Sequence, residues 1–140
     1  MRILLDTDVL LDVALRREKF FEASANVMNW AEREPGQAAI AWHSLSNIAY
    51  LVRPNAREFI GDLLLFIEVA PVATDEARQA VNLPMPDLED ALQASAAVAF
   101  GASFIVTRNL RHYKRSPVTA LSPRQFLRRM STAGASEGPP

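Results

Sequence analysis

Two apolar runs end in polar groups at matching places. Arg2-Ile3-Leu4-Leu5 runs into Asp6, and Phe104-Ile105-Val106 runs into Thr107-Arg108-Asn109. Between them, Pro86-Asp87-Leu88-Glu89-Asp90 puts three carboxylates at the start of a helical pattern. Buried parallel strands read as short continuous apolar runs, and ligands of open α/β sheets sit beyond the carboxyl ends of such strands. The pattern therefore predicts that Asp6, Asp90 and Asn109 meet in one cleft. Carboxylates brought together repel, which raises their pKa values or calls for a cation, and an oxygen-rich cluster suits Mg²⁺ or Mn²⁺.

The elements that must position these groups fit in one compact domain, since the chain has 140 residues and is 49% hydrophobic. Periodicity alternates between strand and helix, the pattern of a layered α/β fold. Strands are predicted over residues 2 to 6, 38 to 41, 69 to 72 and 103 to 107, with a short edge strand over 118 to 121. Helices are predicted from Val9 to Ala14, then along the face Phe20, Ala23, Val27, Trp30 and Ala31 to a break at Pro35-Gly36. Others follow over Ser44 to Leu51, Glu58 to Phe66, Thr74 to Asn82 with Thr74 as cap, and Asp87 to Gly101 with Asp87 as cap. Ser122-Pro123-Arg124-Gln125 carries a capping serine, a first-position proline and a glutamine at the third position, so the last helix starts there. The domain is expected to fill residues 1–130, and the small, polar residues 131–140 to form a flexible tail.

The net charge of −1 hides an asymmetry. Residues 108 to 129 hold seven basic residues and no acid, whereas residues 1 to 107 hold 8 basic and 15 acidic ones. An acidic body thus carries a basic strip beside the expected cleft. Arg108, Arg111, Lys114 and Arg115 suit an anionic polymer such as RNA, while a solvated last helix and its approach is the plainer account. Zero cysteines exclude disulfides, thiolate metal sites and cysteine nucleophiles. Asp6, Asp8 and Asp12 interrupt the first apolar stretch, so neither a signal peptide nor a membrane span is expected, and the default is a cytoplasmic protein.

Taken together, the ordered motifs resemble those of PIN-domain ribonucleases of the VapC-toxin type. The carrying residues are Leu4-Leu5-Asp6-Thr7-Asp8-Val9-Leu10-Leu11-Asp12, Asp87-Leu88-Glu89-Asp90-Ala91-Leu92-Gln93-Ala94, Ile105-Val106-Thr107-Arg108-Asn109 and Leu121-Ser122-Pro123-Arg124-Gln125-Phe126-Leu127. The resemblance implies a three-layer α/β/α domain with a mainly parallel sheet of four to five strands. It also implies Mg²⁺- or Mn²⁺-dependent phosphodiester hydrolysis, a small antitoxin partner and a homodimer. Trp42, Phe20 and Phe21 are candidate contact points for such partners, or core residues.

Carried over residue by residue, the resemblance makes Asp6 and Asp90 metal ligands and Asp87 a supporting ligand or water-orienting group. Helix capping is the competing role for all three. Asp8 stands where the family usually shows asparagine, and adds charge. Asp12 either reaches the rim of the site or is a solvated helical acid, and Glu89 is expected to point away from the site, into solvent.

Two positions depart from the family pattern. Asn47 occupies a segment where many members carry glutamate, and offers a neutral oxygen in place of a carboxylate base. His112 precedes Tyr113 where an acid is frequent; it is either a proton donor to the leaving oxygen or a surface histidine. The expected chemistry is in-line attack by water on an RNA phosphate, with Asn47 and Asn109 orienting water and Arg108 or Arg111 neutralising charge. A catalytically weak or inactive PIN-like module that binds RNA or protein is the alternative. A receiver-like phosphoacceptor domain lacks its lysine here.

Overall fold

The structure, a computed structural model, describes residues 1–136. Its order is β1 Ile3–Leu5, α1 Thr7–Ala14, α2 Glu18–Arg33, β2 Ala38–Ile40, α3 Trp42–Leu51, α4 Ala56–Leu63, β3 Glu68–Val69, α5 Thr74–Asn82, α6 Leu88–Phe100, β4 Phe104–Val106, a 3₁₀ turn Leu110–Tyr113, β5 Thr119–Leu121 and α7 Pro123–Ser136. The five strands form one sheet in the order β3-β2-β1-β4-β5, parallel throughout. Helices cover both faces, which is the three-layer arrangement expected from the apolar runs.

β1 is central and fully buried, so all three of its residues are apolar. Ile3 and Leu5 join one core with α1, α2, α3, α4 and α7, and Leu4 joins the other with α5 and α6. Side chains alternate between the faces of a strand, and a buried strand therefore reads as a continuous apolar run. Phe126 of α7 is fully buried and meets Trp30 of α2 edge-to-face at 5.0 Å. Burying a side chain of that size contributes about 2–3 kcal/mol.

α6 lies against the second face, and Ala91, Ala94, Ala96 and Ala97 are its buried small residues. Small side chains let the helix axis approach the sheet closely. Gly101, at φ 74°, ends it in the left-handed conformation that glycine adopts without a Cβ penalty. At α7 the predicted capping box is present: Gln125 N–H donates to Ser122 Oγ at 3.1 Å, and Ser122 N–H to Gln125 Oε1 at 2.9 Å.

Several boundaries differ from the sequence reading. α1 starts at Thr7 because Asp6 itself caps it, accepting from Thr7 N–H at 2.7 Å. Thr74 is not the cap of α5 but its first residue; Ala73 holds the cap position, and its N–H donates to Glu76 at 2.7 Å. α4 is Ala56–Leu63, and β3 is only Glu68–Val69 because the chain reaches Pro71, which has no N–H for a ladder. α7 continues to Ser136, so residues 131–136 of the expected tail are helical, and residues 137–140 lie outside the described residues. Among the described residues, no helix is long and apolar enough to cross a membrane.

Candidate active site

The β1–β4 pairing sets the centre of the site. Leu5 aligns with Val106, so Asp6 and Thr107 leave the sheet side by side, and Asp6 N–H bonds to Val106 O at 3.0 Å. Strand order reverses between β1 and β4, with chain connections running away on either side. That is where an open α/β sheet leaves a crevice at its carboxyl edge.

Asp6 is nearly buried and fully engaged. Its Oδ1 accepts from Thr7 N–H, and its Oδ2 accepts from Thr107 Oγ1 at 2.8 Å and from the Tyr113 hydroxyl at 3.1 Å. The same hydroxyl lies 3.4 Å from Asp90 Oδ1. One phenol thus stands between two carboxylates with a single proton to give. Burial, with Asp6 and Asp90 next in weight, pushes the Tyr113 pKa well upward, so the phenol stays protonated and can donate.

Asp90 comes from the first turn of α6. Its N–H donates to Asp87 Oδ1 at 3.0 Å, so Asp87 is the helix cap the sequence predicted. Burial raises the Asp90 pKa, and Asp87 and Asp6 add to the rise. Asp90 Oδ2 accepts no well-directed hydrogen bond, although His112 Nδ1 lies 3.2 Å away. His112 therefore flanks the site as an imidazole beside an acid.

Asp8 is tied down on one side only. Its Oδ2 accepts from Arg108 N–H at 3.0 Å and from Asn109 Nδ2 at 3.2 Å, whereas Oδ1 is buried without a partner. Burial first, and then the charge of Asp6, push its carboxyl up to about 7. Asn109 thus acts here as a brace for Asp8.

Beneath these acids a hydroxyl and amide network joins three helices. Thr7 Oγ1 and Ser44 Oγ are 2.7 Å apart, and Gln93 Nε2 donates to them at 3.1 and 2.9 Å. This ties α1, α3 and α6 together directly under the acids.

The resulting cleft has a volume of about 430 Å³, and Asp6, Asp8, Asp87, Glu89 and Asp90 line it together with Arg17, Asn47, Asn109 and His112. Two expectations need correction. Glu89 is exposed but belongs to the cleft wall, where its Oε1 accepts from Asn47 Nδ2 at 3.2 Å. Asp12 is neither at the rim nor solvated: it is fully buried, accepting from Ser24 Oγ at 3.1 Å and Arg108 Nε at 2.8 Å, with Arg17 Nη1 at 3.6 Å.

Arg108 is consequently held by Asp12 and stacked 3.8 Å from the Phe20 ring centroid. Arg111, Lys114 and Arg115 are exposed and have no carboxylate partner among the described residues. Trp42 is 68% exposed, while Phe20 and Phe21 are half-buried under Arg108 and Arg16. Arg17 and Tyr113 escaped the sequence reading. The one signal for Tyr113 was a hydroxyl-bearing aromatic in the loop after β4, since a buried tyrosine needs a partner for its hydroxyl.

Residues 2–111 match the family model of the PIN domain, which covers most of the chain and every cleft residue named above except His112. The chain belongs to the PIN-domain family. Two solved structures share its fold, each at 18% sequence identity with a TM-score of 0.67. One is VapBC2 from Rickettsia felis bound to a DNA fragment from its promoter, matched over 87% of this chain and 98% of the other. The second is DNA-bound VapBC from Salmonella typhimurium, matched over 88% and 98%. Comparison with curated protein sequences gives no match.

Proposed function

We propose that this PIN domain is a metal-dependent endoribonuclease, hydrolysing RNA phosphodiester bonds as the toxin of a VapBC-type pair. Its main support is the meeting of Asp6 and Asp90, carried by different elements to one phenol at the switch point of the sheet. The donor set suits a hard cation. Every donor is oxygen, two buried acceptors, Asp8 Oδ1 and Asp90 Oδ2, lack hydrogen bonds, and burial, with the neighbouring acids next, raises the Asp8 and Asp90 pKa values.

Among the described residues no three acidic or imidazole side chains form a ready cage. Mg²⁺ or Mn²⁺ held by Asp6 and Asp90, with waters completing the shell and Asp87 supporting from the helix cap, matches that open arrangement. The bound ion would lower the pKa of water and offset the charge of the scissile phosphate.

The remaining work falls to this chain's own side chains. Tyr113, Thr107 and the Asp8–Asn109 brace fix the acids. Asn47 and Asn109 orient water. Arg17, on the cleft wall, neutralises phosphate charge, and His112, beside Asp90, gives a proton to the leaving oxygen. Arg111, Lys114 and Arg115 draw the polyanion to the cleft. The antitoxin would then be a small protein that places a basic side chain among these acids, and the toxin a cytoplasmic homodimer.

A catalytically weak module that binds RNA or protein is the second reading. It is favoured by Asn47, whose amide nitrogen is committed to Glu89 and which supplies no carboxylate. Calorimetric titration with Mg²⁺ and Mn²⁺, run beside RNA cleavage on the same samples, separates the two. For the nuclease, Asp6→Asn and Asp90→Asn each lower cleavage by at least about 10²-fold and weaken metal binding together. Intact protein that takes up no metal and cuts no RNA leaves only the binding module.

A further inference from the structure

Asp12 divides two cavities. It is fully buried on α1, and its carboxylate holds Arg17 on the cleft side and Arg108 on the other. Beyond Arg108 lies a second pocket of about 460 Å³ between α2 and the start of α7, lined by Lys19, Phe20, Ala23, Arg108, Pro123 and Arg124. This volume falls in the range of about 300–1,000 Å³ found for small-ligand sites.

Phe20, Ala23 and Pro123 give the walls apolar surface, Ser24 and Ser122 add hydroxyls, no acid lines them, and three cations stand at the pocket. Lys19 and Arg124 are exposed and have no carboxylate partner among the described residues. Ser122 already uses the α7 amide of Gln125, so the positive charge comes from side chains. Phe20 already carries the Arg108 guanidinium 3.8 Å and the Lys19 ammonium 5.5 Å from its centroid, so the flat surface for an unstacked base is the guanidinium layered on Phe20, with cations beside it for the flanking phosphates. A duplex does not offer such a base.

Arg108 connects this pocket to the metal cleft. Its N–H fixes Asp8, its Nε is held by Asp12, and its guanidinium covers Phe20. A strand leaving the cleft past Asp8 thus meets the pocket after one side chain.

We infer that this pocket is a second RNA subsite, taking a nucleotide of the single strand next to the one being cut, with its base against the Arg108 guanidinium over Phe20 and its phosphates between Lys19 and Arg124. The inference rests on the nuclease reading above and adds to it where the flanking strand runs.

The test is the affinity of a fluorescein-labelled oligouridylate of about 12 nucleotides, measured in EDTA to prevent cleavage and repeated across salt concentrations. For Lys19→Ala with Arg124→Ala, the dissociation constant rises on the order of tenfold at low salt, and the slope of log K against log salt falls by about 1.4, or roughly 0.7 per lost phosphate contact. Lys19→Arg with Arg124→Lys, which keep both charges, retain affinity and slope. A double-alanine variant that binds with wild-type affinity and slope, while wild type cuts the same RNA in Mg²⁺, overturns the subsite alone. Wild type that neither binds nor cuts RNA overturns the subsite together with the nuclease reading.

Discussion

On α1 two carboxylates stand four residues apart, Asp8 at the cleft and Asp12 inside the protein. Asp12 is the more buried, yet the protein itself neutralises it: Ser24 and Arg108 bond its Oδ2, and Arg17 stands 3.6 Å from Oδ1, which has no hydrogen bond of its own. Asp8 also has one oxygen without a hydrogen bond, but it faces the charge of Asp6, and among the described residues no cation forms an ion pair with it, the Arg108 charge only partly offsetting that repulsion. The two share a helix and a residue type one turn apart, Asp8 in the first turn and Asp12 beyond it, and their neighbours differ most. The fold pairs Asp12 with cations and leaves Asp8 beside another acid at the cleft.

Removing the paired acid is the strongest way to break this contrast. Asp12→Asn takes the charge from between Arg108 and Arg17 and is expected to destabilise the protein by about 3 kcal/mol, the scale for breaking a buried pair by removing one partner. Arg17 and Arg108 keep partial access to water, which holds the cost near the lower end of that scale. Urea unfolding measures it. A loss below about 0.5 kcal/mol, the level of an ordinary surface substitution, would remove Asp12 as the anchor of both arginines.

The unpaired acid should behave in the opposite way. The Asp8 carboxyl lies at about 7 in the folded chain against an ordinary 3.8, so between those values the native state holds a proton that the unfolded state has released. Its stabilising contribution is therefore complete below about pH 4 and is lost as pH rises through about 7. In metal-free protein, Asp8→Asn removes this decline and gains stability over wild type at pH 8, on the order of 1–2 kcal/mol. Thermal melts from pH 4 to 8 in EDTA provide the comparison. A variant whose advantage stays flat or shrinks with rising pH contradicts the assignment. Wild-type metal affinity, by contrast, should climb over the same interval, because protons and cation compete for the clustered acids.

How much of this was legible in the sequence follows from the same physics. Strands buried on both faces must be apolar throughout, and helix caps need particular side chains, so β1, β4, the Asp87 cap and the Ser122–Gln125 box could be read directly. Asp6 and Asp90 followed, because strand ends and helix starts are local features. What stayed hidden depends on side chains meeting across the fold. Asp12 looks like any helical acid until Arg17 and Arg108, 96 residues away along the chain, converge on it. Tyr113 reads as a loop aromatic until the 3₁₀ turn brings its hydroxyl to Asp6, and Ala73 takes the cap position from Thr74 only because Glu76 reaches back to its N–H. The pairing of Asn47 with Glu89, which joins α3 to α6, belongs to the same class.

That pairing supplies the smallest effect and the finest test of the contrast. Position 47 has no carboxylate, but Glu89 puts one 3.2 Å from the Asn47 amide on the cleft wall, exposed and without a cation partner among the described residues. It is an acid of the Asp8 kind, left unpaired, but at the wet edge where screening is strong. Removing its charge should therefore weaken Mg²⁺ binding only modestly. Glu89→Gln is expected to raise the Mg²⁺ dissociation constant about two- to five-fold, because an exposed charge outside the ligand shell acts through solvent. Asn47→Glu, which restores a carboxylate beside it, should tighten binding by a similar factor if the two like charges share the cation, and should weaken it if they repel without one. Calorimetry on both variants decides. No change in Glu89→Gln would confine the metal-facing acids to Asp6, Asp8, Asp87 and Asp90, and would make the Asn47–Glu89 contact a brace between two helices.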